Sequence, residues 1–154
     1  MNKRYLYFYF TLSISICTII LLITGSDLLT MALDAKNSIP LGTWITWAGM
    51  ISLPLTVYWG IIEFRKPTKK LNKILSRLLK TTITLGVLWL PISFFLAGNL
   101  SFTFSEKLSF QGGQAAMRWF WRLSYGIAIT TVMILATYWL SILKKKIKYL
   151  FLSK

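Results

Sequence analysis

Four long apolar runs, residues 5–24, 43–62, 81–98 and 123–143, decide what this chain can become. None carries Asp, Glu, Lys or Arg in its middle. Each is close to the ~20 helical residues needed to cross a ~30 Å hydrocarbon core. Backbone groups in lipid must be satisfied within the segment, so helices are expected. The dyad alternation of an outer-membrane barrel is missing. The pattern predicts one all-α domain over residues 1–154, a polytopic four-transmembrane-helix bundle.

Composition narrows the chemistry. Only 14% of the 154 residues are charged, against the ~25% of an ordinary soluble domain, and mean hydropathy is +0.60. With no His there is no imidazole base and no His-held metal or haem. With Cys17 alone there is no internal disulfide, dithiol relay or Cys-based zinc site within one chain. Asp27, Asp34 and Glu106 are scattered, whereas a membrane hydrolase or transferase needs grouped reactive side chains at one depth. No catalytic residue, metal site or cofactor is expected.

Charge orients the runs. Fourteen of the eighteen Lys and Arg residues precede the first run, join the second to the third, or follow the fourth. Counting acids, that side carries net +13 and the other +1. The positive-inside rule then predicts both termini in the cytoplasm of a bacterial inner membrane. Met1-Asn2-Lys3-Arg4 resembles a signal-peptide n-region, but the apolar stretch after it exceeds 7–15 residues and no small-x-small site follows. A retained helix is expected. Trp44, Trp47, Trp119 and Trp121 fall near outer ends and Trp59 and Trp139 near inner ends, as an interfacial belt would. Trp89 sits mid-run, to pack between helices or face lipid.

The connection over residues 68–80 is the strongest local pattern. Apolar residues fall at 71, 74, 75, 78 and 79, a helical stripe, after a Pro67 suited to a first turn. Lys66, Lys69, Lys70, Lys73, Arg77 and Lys80 flank it, and Lys144, Lys145 and Lys146 repeat the theme after the fourth run. A basic amphipathic connection of this kind lies on anionic lipid headgroups or docks an acidic cytoplasmic protein, and the two are compatible. Nucleic-acid binding is not expected, because no groove-reading or base-stacking module accompanies the charge.

On the other side, Ser26 is placed to cap a short helix beginning at Asp27, with Leu29, Ala32 and Leu33 sharing a face. Asp27 and Asp34 alone make a poor cation site. Residues 101–105 alternate polar and aromatic, as a half-buried strand would, and pair in principle with 108–110. Phe102, Phe104, the Gly112-Gly113 turn and the Arg118/Arg122 pair, four apart on one helical face, are the outer contact candidates. Pro54 and Pro91 interrupt the second and third runs and free backbone carbonyls there, marking a pocket or gate. No clear Ser/Thr stripe emerges for a pore. Glu63 is expected to pair with Arg65 or Lys66.

Three functions follow in order: a homo-oligomeric, non-catalytic subunit that anchors or signals to a cytoplasmic partner; a homo-oligomeric channel or holin-like pore; an enzyme. Toxin-immunity, conjugation-exclusion and phage-defence membrane subunits share this size and topology, which is analogy and not a motif.

Overall fold

The computed structural model describes residues 3–32, 39–101, 104 and 110–152, with side chains up to residue 147. It is helical: α1 (Lys3–Thr24), α2 (Leu41–Gly60), α3 (Ile62–Arg65), α4 (Lys70–Ala97) and α5 (Gly113–Leu152), with a 3₁₀ turn at Asp27–Leu29. Among the described residues there is no strand beyond one isolated bridge, Ala32 to Pro40. Three helices, α1, α4 and residues 113–147 of α5, are long and apolar enough to cross a membrane. α2 is diluted by Gly42, Thr43, Thr46, Gly49, Ser52 and Pro54, all of them buried.

α2 is the hub. It packs on α1, α4 and α5, and among the described residues α1 packs closely on no other long helix. Hydroxyl side chains share the interior with apolar ones, and many large apolar side chains face outward. Thr11, Ser15, Thr18, Ser52, Thr82, Ser93 and Thr131 are buried, while Ile23 is 80% and Phe95 83% exposed. Lipid is as apolar as Leu, so large side chains gain little by turning inward, and small residues settle where helices touch.

The α1–α2 seam shows how. Thr11, Ser15 and Thr18 line one face of α1; Ser15 Oγ donates to Ser52 Oγ at 3.0 Å and lies 3.5 Å from Thr56 Oγ1. Thr18 Oγ1 donates to the Ile45 carbonyl at 3.3 Å, and a Cβ at Gly49 would overlap Thr18 Cγ2. A short hydroxyl stripe therefore exists, contrary to the sequence reading, but it faces α2 within the same chain.

Both intrahelical prolines sit at the α2–α4 seam. Proline lacks the N–H that would bond the carbonyl four residues back, so Pro54 frees Met50 O and Pro91 frees Val87 O. Gly86 of α4 approaches Met50 O so closely that a Cβ would stand 2.6 Å from it. In return, Trp47 Nε1 of α2 donates to Val87 O at 3.1 Å. Each carbonyl faces the opposite helix, and Met50 and Leu53, beside Pro54, also line a small hollow bordered by α1 and Ala128. Trp89 is also accounted for, buried between α4 and α5 with Nε1 donating to Ser124 Oγ at 2.8 Å.

Two apolar clusters complete the interior. One joins Trp89, Ala97, Phe120 and Ile127; the other, toward the basic end, joins Phe64, Leu75, Leu79 and Ile134. The second cluster corrects the expected connection. Residues 70–80 are no separate helix on the surface but the first three turns of α4, with neither Gly nor Pro between them and residue 81. Leu75 and Leu79 are drawn into the cluster, while Leu71, Ile74 and Leu78 stay exposed. At 1.5 Å per residue, α4 spans about 42 Å and α5 about 60 Å, both longer than a hydrocarbon core.

The far side is tied down by its ends. Ser26 Oγ accepts from the Leu28 N–H, capping the 3₁₀ turn as expected. Leu29 is buried, but Ala32 is exposed and does not share its face. Gly98, with φ +73°, ends α4 in the left-handed conformation that favours glycine. Gln111 N then donates to Ala97 O at 3.1 Å, and Thr43 Oγ1 to Leu100 O at 2.7 Å. The predicted hairpin over 101–110, together with Phe102, Leu33 and Asp34, lies largely outside the described residues.

Candidate functional site

The expected basic face is assembled from three elements. Lys66 ends α3, Lys69 precedes α4, and Lys70, Lys73, Arg77 and Lys80 follow along its first turns, all exposed. Ser76 Oγ donates to the Phe64 carbonyl, which ties α3 to α4 and fixes where these cations emerge. Their row borders the exposed Leu71, Ile74 and Leu78, so charge and apolar surface lie side by side along α4.

α5 brings the second set. Lys144, Lys145 and Lys146 are exposed about two turns beyond the half-buried Tyr138, which with the buried Ile134 marks where α5 meets α3 and α4. Phe64 and Tyr138 rings lie 5.2 Å apart and hold that junction. The consequence is electrostatic. Lys69 stands beside Lys145, and this contact, with desolvation, holds the Lys145 ammonium below its ordinary lysine range; Glu63 opposes the shift. Two cations 76 positions apart in sequence share one spot, where an anion would relieve both.

Glu63 does not do what its neighbours in sequence suggest. It faces the Tyr138 hydroxyl and acts on Lys145, across the junction, rather than pairing with Arg65 or Lys66. On so short a helix as α3, successive side chains diverge by about 100°. Arg65 instead leans over Trp59, its Cζ 5.7 Å from the ring centroid, with Nε and Nη2 buried and lacking a hydrogen-bond partner. Trp59 also lines a hollow with Arg4, Tyr5, Phe8, Tyr9 and Gly60. The sequence places Arg65 and Arg4 on this side by charge but does not single them out as contact residues, because nothing in a run of cations distinguishes one that turns inward.

At the opposite end the candidates separate. Phe104 rests on Gly42, where a Cβ would come within 2.8 Å of its ring, so it packs on α2 rather than standing free. Gly112 and Gly113 are exposed at the start of α5, and Gly113 has φ +64°. Arg118 and Arg122 are exposed on the first turns of α5, with Arg122 Cζ 5.3 Å over the Trp119 ring. Pro54 and Pro91 belong to the α2–α4 seam described above. Among the described residues no three His, Cys, Asp or Glu come together as metal ligands would.

In comparisons with family models, curated proteins and solved structures, nothing matches this chain.

Proposed function

We propose that the chain is a non-catalytic subunit of a bacterial inner membrane, with four spans and both termini cytoplasmic. It anchors or signals to a cytoplasmic protein with an acidic surface through the basic end. One observation carries this reading: Lys69 and Lys145, from elements far apart in sequence, are brought together on an exposed surface continuous with Lys70, Lys73, Arg77 and Lys80. Concentrated like charge weakens a fold unless a partner of opposite sign offsets it. Anionic headgroups share that chemistry and hold the same face near the membrane. The hub position of α2 favours its crossing alongside α1, α4 and α5.

The test is affinity recovery of the tagged full chain from mild detergent, with the mass of the complex measured. A stoichiometric soluble partner, lost when Lys69, Lys70, Lys73 and Arg77 are changed to Glu while membrane insertion persists, is the expected result. A partner that stays bound through that reversal overturns the docking surface. A homo-oligomer with no partner overturns the anchor reading in favour of a pore, which liposome conductance then tests. The hydroxyls on α1 bond within the chain, which weighs against a lining built from them.

A further inference from the structure

The crevice between α4 and α5 shares only Leu78 with the basic-end surface. Leu78, Thr81 and Leu85 form one wall and Gly126 and Thr130 the other, with Arg122 at one mouth, around a volume of about 240 Å³. Gly126 makes the opening: a Cβ there meets nothing within 4 Å. Leu78 and Leu85 are partly exposed to it, at 48% and 37%. The face of the Arg122 guanidinium lies over Trp119, which leaves its N–H edge for an acceptor. Among the described residues none accepts a hydrogen bond from it.

We propose that this crevice is a phospholipid site, the headgroup phosphate on Arg122 and one acyl chain over Gly126 toward Leu78. A guanidinium edge matches two phosphate oxygens. Trp119, whose ring lies under the Arg122 guanidinium, is 61% exposed, and such rings favour headgroup depth. From Leu85 to Leu78 the crevice runs about 10 Å along α4, the length of about eight methylene groups at the ~1.25 Å advance of an extended chain, within the reach of one hydrocarbon tail. A second copy of the chain is the poorer occupant, because it has only four carboxylates to offer Arg122, whereas phosphate is abundant at that depth.

Native mass spectrometry of the full chain in detergent, titrated with phosphatidylglycerol, tests this. The unaltered chain retains one lipid more tightly than the rest. Arg122→Gln weakens that first binding about tenfold, because the glutamine amide keeps one of the two hydrogen bonds and the charge-assisted one is lost. Gly126→Leu fills the crevice and weakens it at least as much. Val132→Leu, on an exposed position of α5, leaves it unchanged. Helical content and melting are recorded for each variant, and Arg122→Gln, an exposed polar change, keeps the test decisive if Gly126→Leu unfolds. Unchanged first binding in both variants overturns the site. So does a loss with Arg122→Gln alone while a folded Gly126→Leu binds normally, since the chain would then lie elsewhere. An unaltered chain that is a dimer, and that Gly126→Leu turns into monomers, makes the crevice a protein interface and also overturns it.

Discussion

The indole N–H of Trp47 on α2 donates to the carbonyl of Val87 on α4 at 3.1 Å, and that carbonyl is the one Pro91 leaves without an intrahelical partner. At Met50, whose carbonyl Pro54 frees, Gly86 packs closely against the oxygen and shields it without supplying a donor. Two broken helical hydrogen bonds thus become the register of one helix pair. An unpaired carbonyl in lipid is costly, so sliding α2 along α4 exposes both at once.

Trp47→Phe keeps the ring and removes the donor. It is expected to cost about 0.6 kcal/mol, the average for an interhelical hydrogen bond in a membrane protein. In a Pro91→Ala background Val87 regains its own N–H partner, so the same change should cost close to nothing. Thermal unfolding of the four chains in detergent closes this cycle; equal costs in both backgrounds would show that the bond is not what stabilises the seam.

Gly86→Ala should lower stability by about 1–3 kcal/mol, the range for overpacking, because its Cβ would stand 2.6 Å from the backbone oxygen of Met50. Gly126→Ala adds the same methyl to open space and gains helix propensity, so it should be neutral or stabilising by up to about 1 kcal/mol. Melting midpoints that fail to separate the two variants contradict the close α2–α4 approach.

Gly49→Ala should loosen α1, which among the described residues packs closely on no long helix but α2. The added Cβ meets the Thr18 methyl, a side chain rather than backbone. Thr18→Ala should therefore restore part of the loss, even though it also removes the bond to Ile45 O. Protease susceptibility of α1 reads this directly, and no rescue by the second change would place the strain elsewhere.

Lys145 is held low chiefly by Lys69. A lowered pKa means that Lys145 loses its proton at a lower pH than an ordinary lysine, and the folded chain binds that proton more weakly than the unfolded one. The repulsion is therefore relieved as pH rises through the lowered value. Lys69→Met should move the Lys145 titration upward, as should adding anionic vesicles, which supply the missing counter-charge. Titration of labelled lysine side-chain carbons by NMR reads both; an unmoved Lys145 in Lys69→Met means that the two ammonium groups do not interact.

The span count is open to a direct measurement. In a Cys17→Ser background, single cysteines replacing Lys36 and Lys107 should react with a membrane-impermeant maleimide from outside, and those replacing Lys69 and Lys148 only from inside. Cysteines at 36 and 69 labelled from the same side would mean that α2 does not cross.

Much of the helical layout was legible, and the reasons are local. The boundaries of α1 coincide with an apolar run to within two residues at its start, and Ser26 caps the turn its side chain suggested. The basic stripe on α4 was visible as a period. Its fate was not: whether residues 70–80 lie flat or continue the helix depends on Phe64 and Ile134, which no local pattern connects to Leu75 and Leu79. Glu63 misled because adjacency in sequence suggested Arg65, while a helical turn points the two in different directions. Arg65 was overlooked for the converse reason, since a cation that stacks on Trp59 reads like one in water.

The sequence by itself determined that this is a helical chain with apolar segments of membrane length, no His, one Cys and a strongly uneven distribution of charge. Those properties are sums over segments, and hydration and backbone hydrogen bonding act on segments before any of them meet. Only the tertiary structure decided which oxygen each proline frees and who covers it, which serines face one another, and that Lys69 meets Lys145. Such relations depend on the rotation and register of one helix against another. Lipid gives large side chains little reason to prefer either face, so that choice is left to the close contacts of small residues.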